Sequence, residues 1–219
     1  MRVGISGVSG GIGQAVCKLF AEQGLEVVGF ARHPNSEQRR LDMRMEEKEI
    51  ARRIQRASPE GYDVWINLAG ADVLNSTMRH EEYMIRLQEL WEVDVKGSIK
   101  CCRAVIPFLR NHGIIVNVAW DEALTGASGD SASLYGTAKA AIIGYSASLA
   151  KSLDLRARVY VLSPGWVATR WANSLSAEQR ERLIRLSQRK RWIDADEVAM
   201  ALWRLIQDGP PSGSVIPVK

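Results

Sequence analysis

The chain has 219 residues, of which 46% are hydrophobic and 25% charged, with a formal net charge of +4 at pH 7. That length suits one large domain with its own core, and the composition is ordinary for a soluble globular protein. Charged residues interrupt every apolar stretch before it reaches membrane-spanning length, and the mild positive charge comes without a basic arm or an aromatic–basic repeat, so neither a membrane span nor a nucleic-acid binder is expected. The start, Met1-Arg2-Val3-Gly4-Ile5, lacks the pattern of a secretory signal. Cys17, Cys101 and Cys102 form an odd set without metal spacing, inside apolar helical patterns. The expectation is a cytoplasmic protein with buried, reduced thiols and no metal site.

In chain order, apolar runs and helical periodicities alternate. Arg2–Ser6 predicts a strand and Ile12–Gln23 a helix. Glu26–Ala31 reads as the next strand, and Glu46–Ala57 as a charge-dense helix with a solvated face. Val64–Leu68 is a strand, Glu81–Leu109 one long helix, and Gly113–Val118 a strand. Leu134–Leu153 is a helix, Arg158–Leu162 a strand, and Ala177–Gln188 and Ala195–Gln207 are helices before a last strand, Ser214–Val218. The strands are continuously apolar, as when helices cover both faces of a parallel sheet. Strand–helix–strand repetition implies right-handed crossovers and an α/β fold, a single doubly wound Rossmann-type domain over residues 1–219.

The stretch Ser6-Gly-Val-Ser-Gly-Gly-Ile-Gly13 falls between the first strand and the first helix. A glycine turn there lets backbone N–H groups and the helix N-terminus approach a pyrophosphate, so Gly7, Gly11 and Gly13, with Ser6 before them and Ser9 and Ile12 between them, are candidate cofactor contacts. The spacing is G-x-x-x-G-x-G, not G-x-G-x-x-G. At the end of the second strand, where a carboxylate would bond the adenosine ribose of NAD, the chain has Arg32 and His33. A guanidinium suits a 2′-phosphate, so NADP(H) is expected and NAD(H) less so; Arg32 is alternatively a surface arginine.

These residues, with several later motifs in order, resemble the short-chain dehydrogenases/reductases over essentially the whole chain. The glycine turn is similar to the family's T-G-x-x-x-G-x-G. Asp42 falls where the family has an aspartate beside the adenine ring. Asn67-Leu-Ala69-Gly70 resembles the N-N-A-G stretch that stabilises the sheet and borders the cofactor. Tyr135-Gly-Thr-Ala-Lys139 is similar to the Y-x-x-x-K pair. Pro164-Gly165-Trp-Val167-Ala-Thr169 resembles the stretch that holds the nicotinamide amide. The resemblance implies a mostly parallel seven-stranded sheet flanked by helices, with one strand that periodicity does not reveal. It also implies an oxidoreductase with a nicotinamide cofactor and a small-molecule substrate, and a homodimer or homotetramer built through the long central helices.

Tyr135 and Lys139 lie one helical turn apart and share a face. A neighbouring ammonium lowers a phenol's pKa, so Tyr135 is the expected acid/base and Lys139 its partner; the resemblance adds that Lys139 bonds the nicotinamide ribose. Two family positions differ. Asp94 stands where the family's asparagine holds a relay water. The serine expected after the strand ending at Val118 is replaced by Ala119-Trp120-Asp121-Glu122, and Trp120 or Glu122 takes its place depending on how the loop is counted. Ser128, Ser131 and Ser133 could fold back.

Losing that donor typically costs about 10²–10³ in rate. Three readings follow: an imine substrate that needs no oxyanion donor, a protonated acid in place of the serine, or a catalytically impaired protein that binds NADP(H) as a regulatory or structural subunit. Otherwise Trp120 simply packs under the loop and both acids are solvated. A variable substrate lid is expected over about 166–192, its arginines on a solvated helix face or, alternatively, attracting an acidic carrier or a phosphorylated substrate, with Trp166 and Trp171 at the pocket mouth.

Overall fold

The computed structural model describes residues 1–75, 77–169, 172, 175–187 and 189–218. One seven-stranded sheet carries the fold: β1 (Arg2–Ser6), β2 (Glu26–Ala31), β3 (Arg39–Arg40), β4 (Tyr62–Asn67), β5 (Leu109–Val118), β6 (Ala157–Ser163) and β7 (Val215–Pro217). The order is β3-β2-β1-β4-β5-β6-β7, and every pairing is parallel. The strand that periodicity misses is β3, two exposed arginines too short to show any pattern.

Helices cover both faces: α1 (Gly11–Glu22), α2 (Glu47–Ala57), α3 (Tyr83–Leu90), α4 (Ser98–Val105), α5 (Asp130–Leu153), α6 (Ala177–Leu186) and α7 (Ala195–Asp208). On one face α1 and α7 close a core around Phe20, Ile66, Tyr160 and Leu202. On the other, α2, α4 and α5 cover Phe30, Ile54, Tyr62 and Trp65. Trp65 is fully buried, its ring lying across Gly4 of the neighbouring strand, where a Cβ would come within 2.4 Å of it. Ion pairs on α2, such as Arg53–Glu49 at 2.7 Å, fit its solvated face.

Two expectations change. The helix expected over Glu81–Leu109 is broken into α3, a π-helical segment Trp91–Gly97, α4 and a short 3₁₀ turn. Periodicity near 3.6 continues through such a bulge, so the sequence does not reveal it. The helix expected from Leu134 begins at Asp130, one turn earlier, after Gly129 at φ 103°. Gly, Ser and Asp there read as loop, yet a glycine N-cap and an acid in the first turn are sound helix starts. The expected end of α6, Gln188, lies outside the described residues.

Cys101 and Cys102 are buried, as expected, while Cys17 is only partly so. Burial pushes the Cys17 thiol up to about 11 and that of Cys102 to about 12, as befits unreactive thiols. Among the described residues no helix is long and apolar enough to cross a membrane.

Candidate active site

Strand order reverses beside β1, and a crevice opens at the carboxyl ends of β1 and β4. Register places Ser6 beside Asn67 and Asn67 beside Asn117. Their side chains form a buried network: Asn67 accepts from the Trp65 indole at 2.8 Å and donates to Asn117 at 2.8 Å, and Asn117 donates to Ser146 at 2.8 Å. A satisfied network of this kind rigidifies the strand ends beneath the crevice.

Gly7 takes φ 80°, and a Cβ there would come 2.5 Å from the Ala69 nitrogen. A Cβ on Gly13 would strike the Gly7 carbonyl at 2.4 Å, whereas one on Gly11 would meet nothing. Gly7 and Gly13 are thus fixed by packing, and Gly11 faces open space. The α1 N-terminus has no side-chain cap and no acid in its first turn, so its N–H groups are left for an anion. This cradle fits a dinucleotide pyrophosphate.

Two adjoining cavities extend from the turn. The first, about 380 Å³, runs past Gly11, Ile12, Gly13, Asn67 and Gly70 to Tyr135, Lys139, Pro164, Gly165, Val167 and Thr169, with Trp120, Ser131 and Trp166 at the far end. The second, about 460 Å³, is lined by Gly7, Ser9, Arg32, Asp42, Ala69 and Gly70. Ser6 lines neither: it is wholly buried, bonded to Asn67 and the Ala69 N–H, and so shapes the turn without reaching the crevice. Arg44, which sequence reasoning missed, also lines the second cavity, paired with Asp42 and Glu89. Burial raises the Asp42 pKa, but the Arg44 backbone N–H and guanidinium outweigh it and hold the carboxyl below its usual range. No residue marked it, because its role depends on the turn that follows β3.

At the centre, the Lys139 ammonium pairs with the Asp94 carboxylate at 2.8 Å and donates to the Val118 carbonyl at 3.2 Å. Asp94 sits in the π-helical segment and also accepts from the Ala71 N–H at 2.7 Å. It does not line the cavity; it stands behind Lys139 and ties the Asn67–Gly70 loop to α5. Burial works to lower the Lys139 pKa, but the charges of Asp94 and Tyr135 overcome it and the net shift is upward. Tyr135 departs from expectation: burial and the Asp94 charge together outweigh the ammonium, and its pKa is raised.

The 3₁₀ turn Asp121–Ala123 follows Trp120, whose indole is 5% exposed. It stands edge-on to Tyr135 at 5.5 Å and to Trp166 at 5.7 Å, and Trp166 meets Trp192 at 6.0 Å. Trp120 therefore packs beside Tyr135 where a serine was expected, and lines the cavity. The solvated acids are a correction. Asp121 forms an ion pair with Arg189 at 2.6 Å, and Glu122 is 3% exposed. Backbone bonds from Ala119 to Leu162 and from Asp121 to Pro164 extend the β5–β6 pairing, and neither acid lines the cavity. Arg189 likewise is no solvated lid arginine, since the pair pins its segment to the Trp120 loop. Trp171 lies outside the described residues.

A sequence model described as Enoyl-(Acyl carrier protein) reductase matches residues 7–213. The chain belongs to the short-chain dehydrogenase/reductase family. This family of oxidoreductases binds nicotinamide cofactors. Similar relatives include 3-oxoacyl-[acyl-carrier-protein] reductase FabG of Vibrio cholerae, 27% identical over 90% of this chain and 86% of the relative. Carbonyl reductase family member 4 of Xenopus laevis is 28% identical over 98% and 94%. Among solved structures, a short-chain dehydrogenase from Burkholderia cenocepacia in complex with NADP aligns at TM-score 0.84 and 21% identity, covering 100% of this chain and 96% of that one. One from Serratia marcescens aligns at 0.85 and 20% over 99% and 95%, likenesses that speak to the fold.

Proposed function

We propose that the protein is an NADP(H)-dependent oxidoreductase that interconverts a carbonyl and an alcohol on a small molecule, with Tyr135 as acid/base and Lys139 as its partner. The observation that carries the reading is the placement of both side chains on one face of α5, opening onto the cavity that begins at the glycine cradle. The cofactor supplies the hydride when bound. Gly11 and Gly13 would hold its pyrophosphate, Asp42 would border the adenine, and Pro164, Val167 and Thr169 would border the nicotinamide. An ammonium has three donors. Those of Lys139 serve Asp94, the Val118 carbonyl and Tyr135, so Lys139 would bond a ribose hydroxyl by sharing the donor that faces Tyr135. Tyr135 holds its proton at the cavity for the substrate oxygen.

A carbonyl fits better than an imine. An iminium would favour an open carboxylate, yet Asp94 and Asp121 are both ion-paired and neither lines the cavity. The names of the relatives, 3-oxoacyl and carbonyl reductases, support the same class. Arg32 at the rim of the second cavity supports NADP(H). Titration with NADPH and NADH tests this: tighter NADPH binding that is lost in Arg32→Ala is expected, and equal affinities would remove Arg32 from the role. Exposed Met84, Ile85 and Trp91 on α3 and the π segment support a homo-oligomer through the central helices; a cytoplasmic location is part of the same proposal. The absence of a serine favours a second reading, a binder of NADP(H) without turnover.

A further inference from the structure

We infer that Ser131 supplies the hydrogen bond to the substrate oxygen that the missing serine would have given, and that Arg86 positions and polarises it. The inference rests on the carbonyl reading above. Because α5 begins at Asp130, Ser131 lies one turn before Tyr135, on the same face. Both line the 380 Å³ cavity beside Trp120. Of the three serines in that stretch, Ser133 donates to the Asp130 carbonyl at 2.8 Å and lies 3.0 Å from the Tyr83 hydroxyl. Ser128 does not line the cavity. Ser131 alone of the three does.

Its partner decides the direction of its proton. Arg86 on α3 is 7% exposed and donates from Nη2 to the Ser131 Oγ at 2.7 Å. Its buried Nε has no hydrogen-bond partner among the described residues. A guanidinium has donors and no acceptor, so Ser131 accepts, and its own proton remains to be given. Among the described residues no acceptor takes it. A charge-assisted bond to the oxygen polarises the O–H and makes it a stronger donor. A buried arginine on one hydroxyl is a costly arrangement for structure alone.

In the reduction, the carbonyl carbon receives the hydride and the π pair moves to oxygen. That oxygen takes the Tyr135 proton, leaving a phenolate, while the reduced nicotinamide is oxidised. Ser131 keeps its proton throughout and stabilises the growing charge by hydrogen bond alone. Ser131 is thus a catalytic residue and Arg86 a positioning residue.

The test is NADPH oxidation with ethyl acetoacetate and an aromatic diketone, in wild type, Ser131→Ala, Ser131→Thr, Arg86→Met and the double variant. Ser131→Ala should lose about 10²-fold in kcat with little change in KM, as for one oxyanion donor. NADPH affinity, read by fluorescence titration, should be unchanged, and threonine should restore most of the rate. Arg86→Met should approach the Ser131→Ala loss, and the double variant should be no worse than either, since the two act as one unit. Wild-type turnover with Ser131→Ala unimpaired, or a fully additive double variant, overturns this inference and leaves the carbonyl reading standing. Failure of the wild type to oxidise NADPH with either ketone, despite binding it, overturns both.

Discussion

Position 94 shows how one carboxylate sets a site's electrostatics. An asparagine there would leave Lys139 as the only charge beside Tyr135. The carboxylate binds the ammonium at 2.8 Å, and the phenol, instead of being lowered, is raised by burial and by Asp94. A raised phenol stays protonated through neutral pH, which suits reduction and holds back the reverse reaction until alkaline pH. Asp94→Asn should therefore move the pH profile of alcohol oxidation to lower pH; an unmoved profile would remove Asp94 from this role. The same variant removes the counter-charge of a buried ammonium that keeps its bond to the Val118 carbonyl, so its stability should fall in chemical denaturation, by at most roughly 3–5 kcal/mol. In the wild type Lys139 is raised on folding. Its contribution is full below the unfolded value, about 10.4, and is lost as pH rises through the folded one.

At the scale of elements, periodicity reveals what repeats and hides what interrupts. Continuous apolar runs made β1 and β2 legible to the residue, because burial on both faces leaves no other pattern. The π segment at Trp91–Gly97 and the early start of α5 were not legible. The first keeps a helical stripe, and the second is written in residues that also make loops. Both bear on the proposed function, since one carries Asp94 and the other carries Ser131. Tyr135 and Lys139 stood out by their spacing only beside the other motifs in order, and their pKa balance needed the tertiary neighbour. The α7 N-terminus carries a capping box, Asp194 with Glu197, and Arg191 bonds the same glutamate. Those bonds, first that of Arg191, lower Glu197 to about 2, so its contribution is present above about 4.3 and fades as pH falls towards 2. Asp194→Ala should cost about 1 kcal/mol, measured by urea unfolding, and less would mean that Arg191 alone secures this end.

For the molecule as a whole, the sheet supplies a rigid platform, and α5 with the loops after β4, β5 and β6 lines the cavity. The buried Asn67–Asn117–Ser146 network fixes the ends of β4 and β5 and ties them to α5. Trp120, Trp166 and Trp192 form an aromatic wall beside the cavity. The Asp121–Arg189 pair ties that wall to the segment leading into α7. The most direct measurement of the central claim is steady-state NADPH oxidation with ketones, comparing wild type with Tyr135→Phe while NADPH affinity is followed in parallel. The account predicts turnover by the wild type that is abolished in Tyr135→Phe, with cofactor binding intact. Equal rates in both proteins, or tight NADPH binding with no turnover of any ketone, would contradict it.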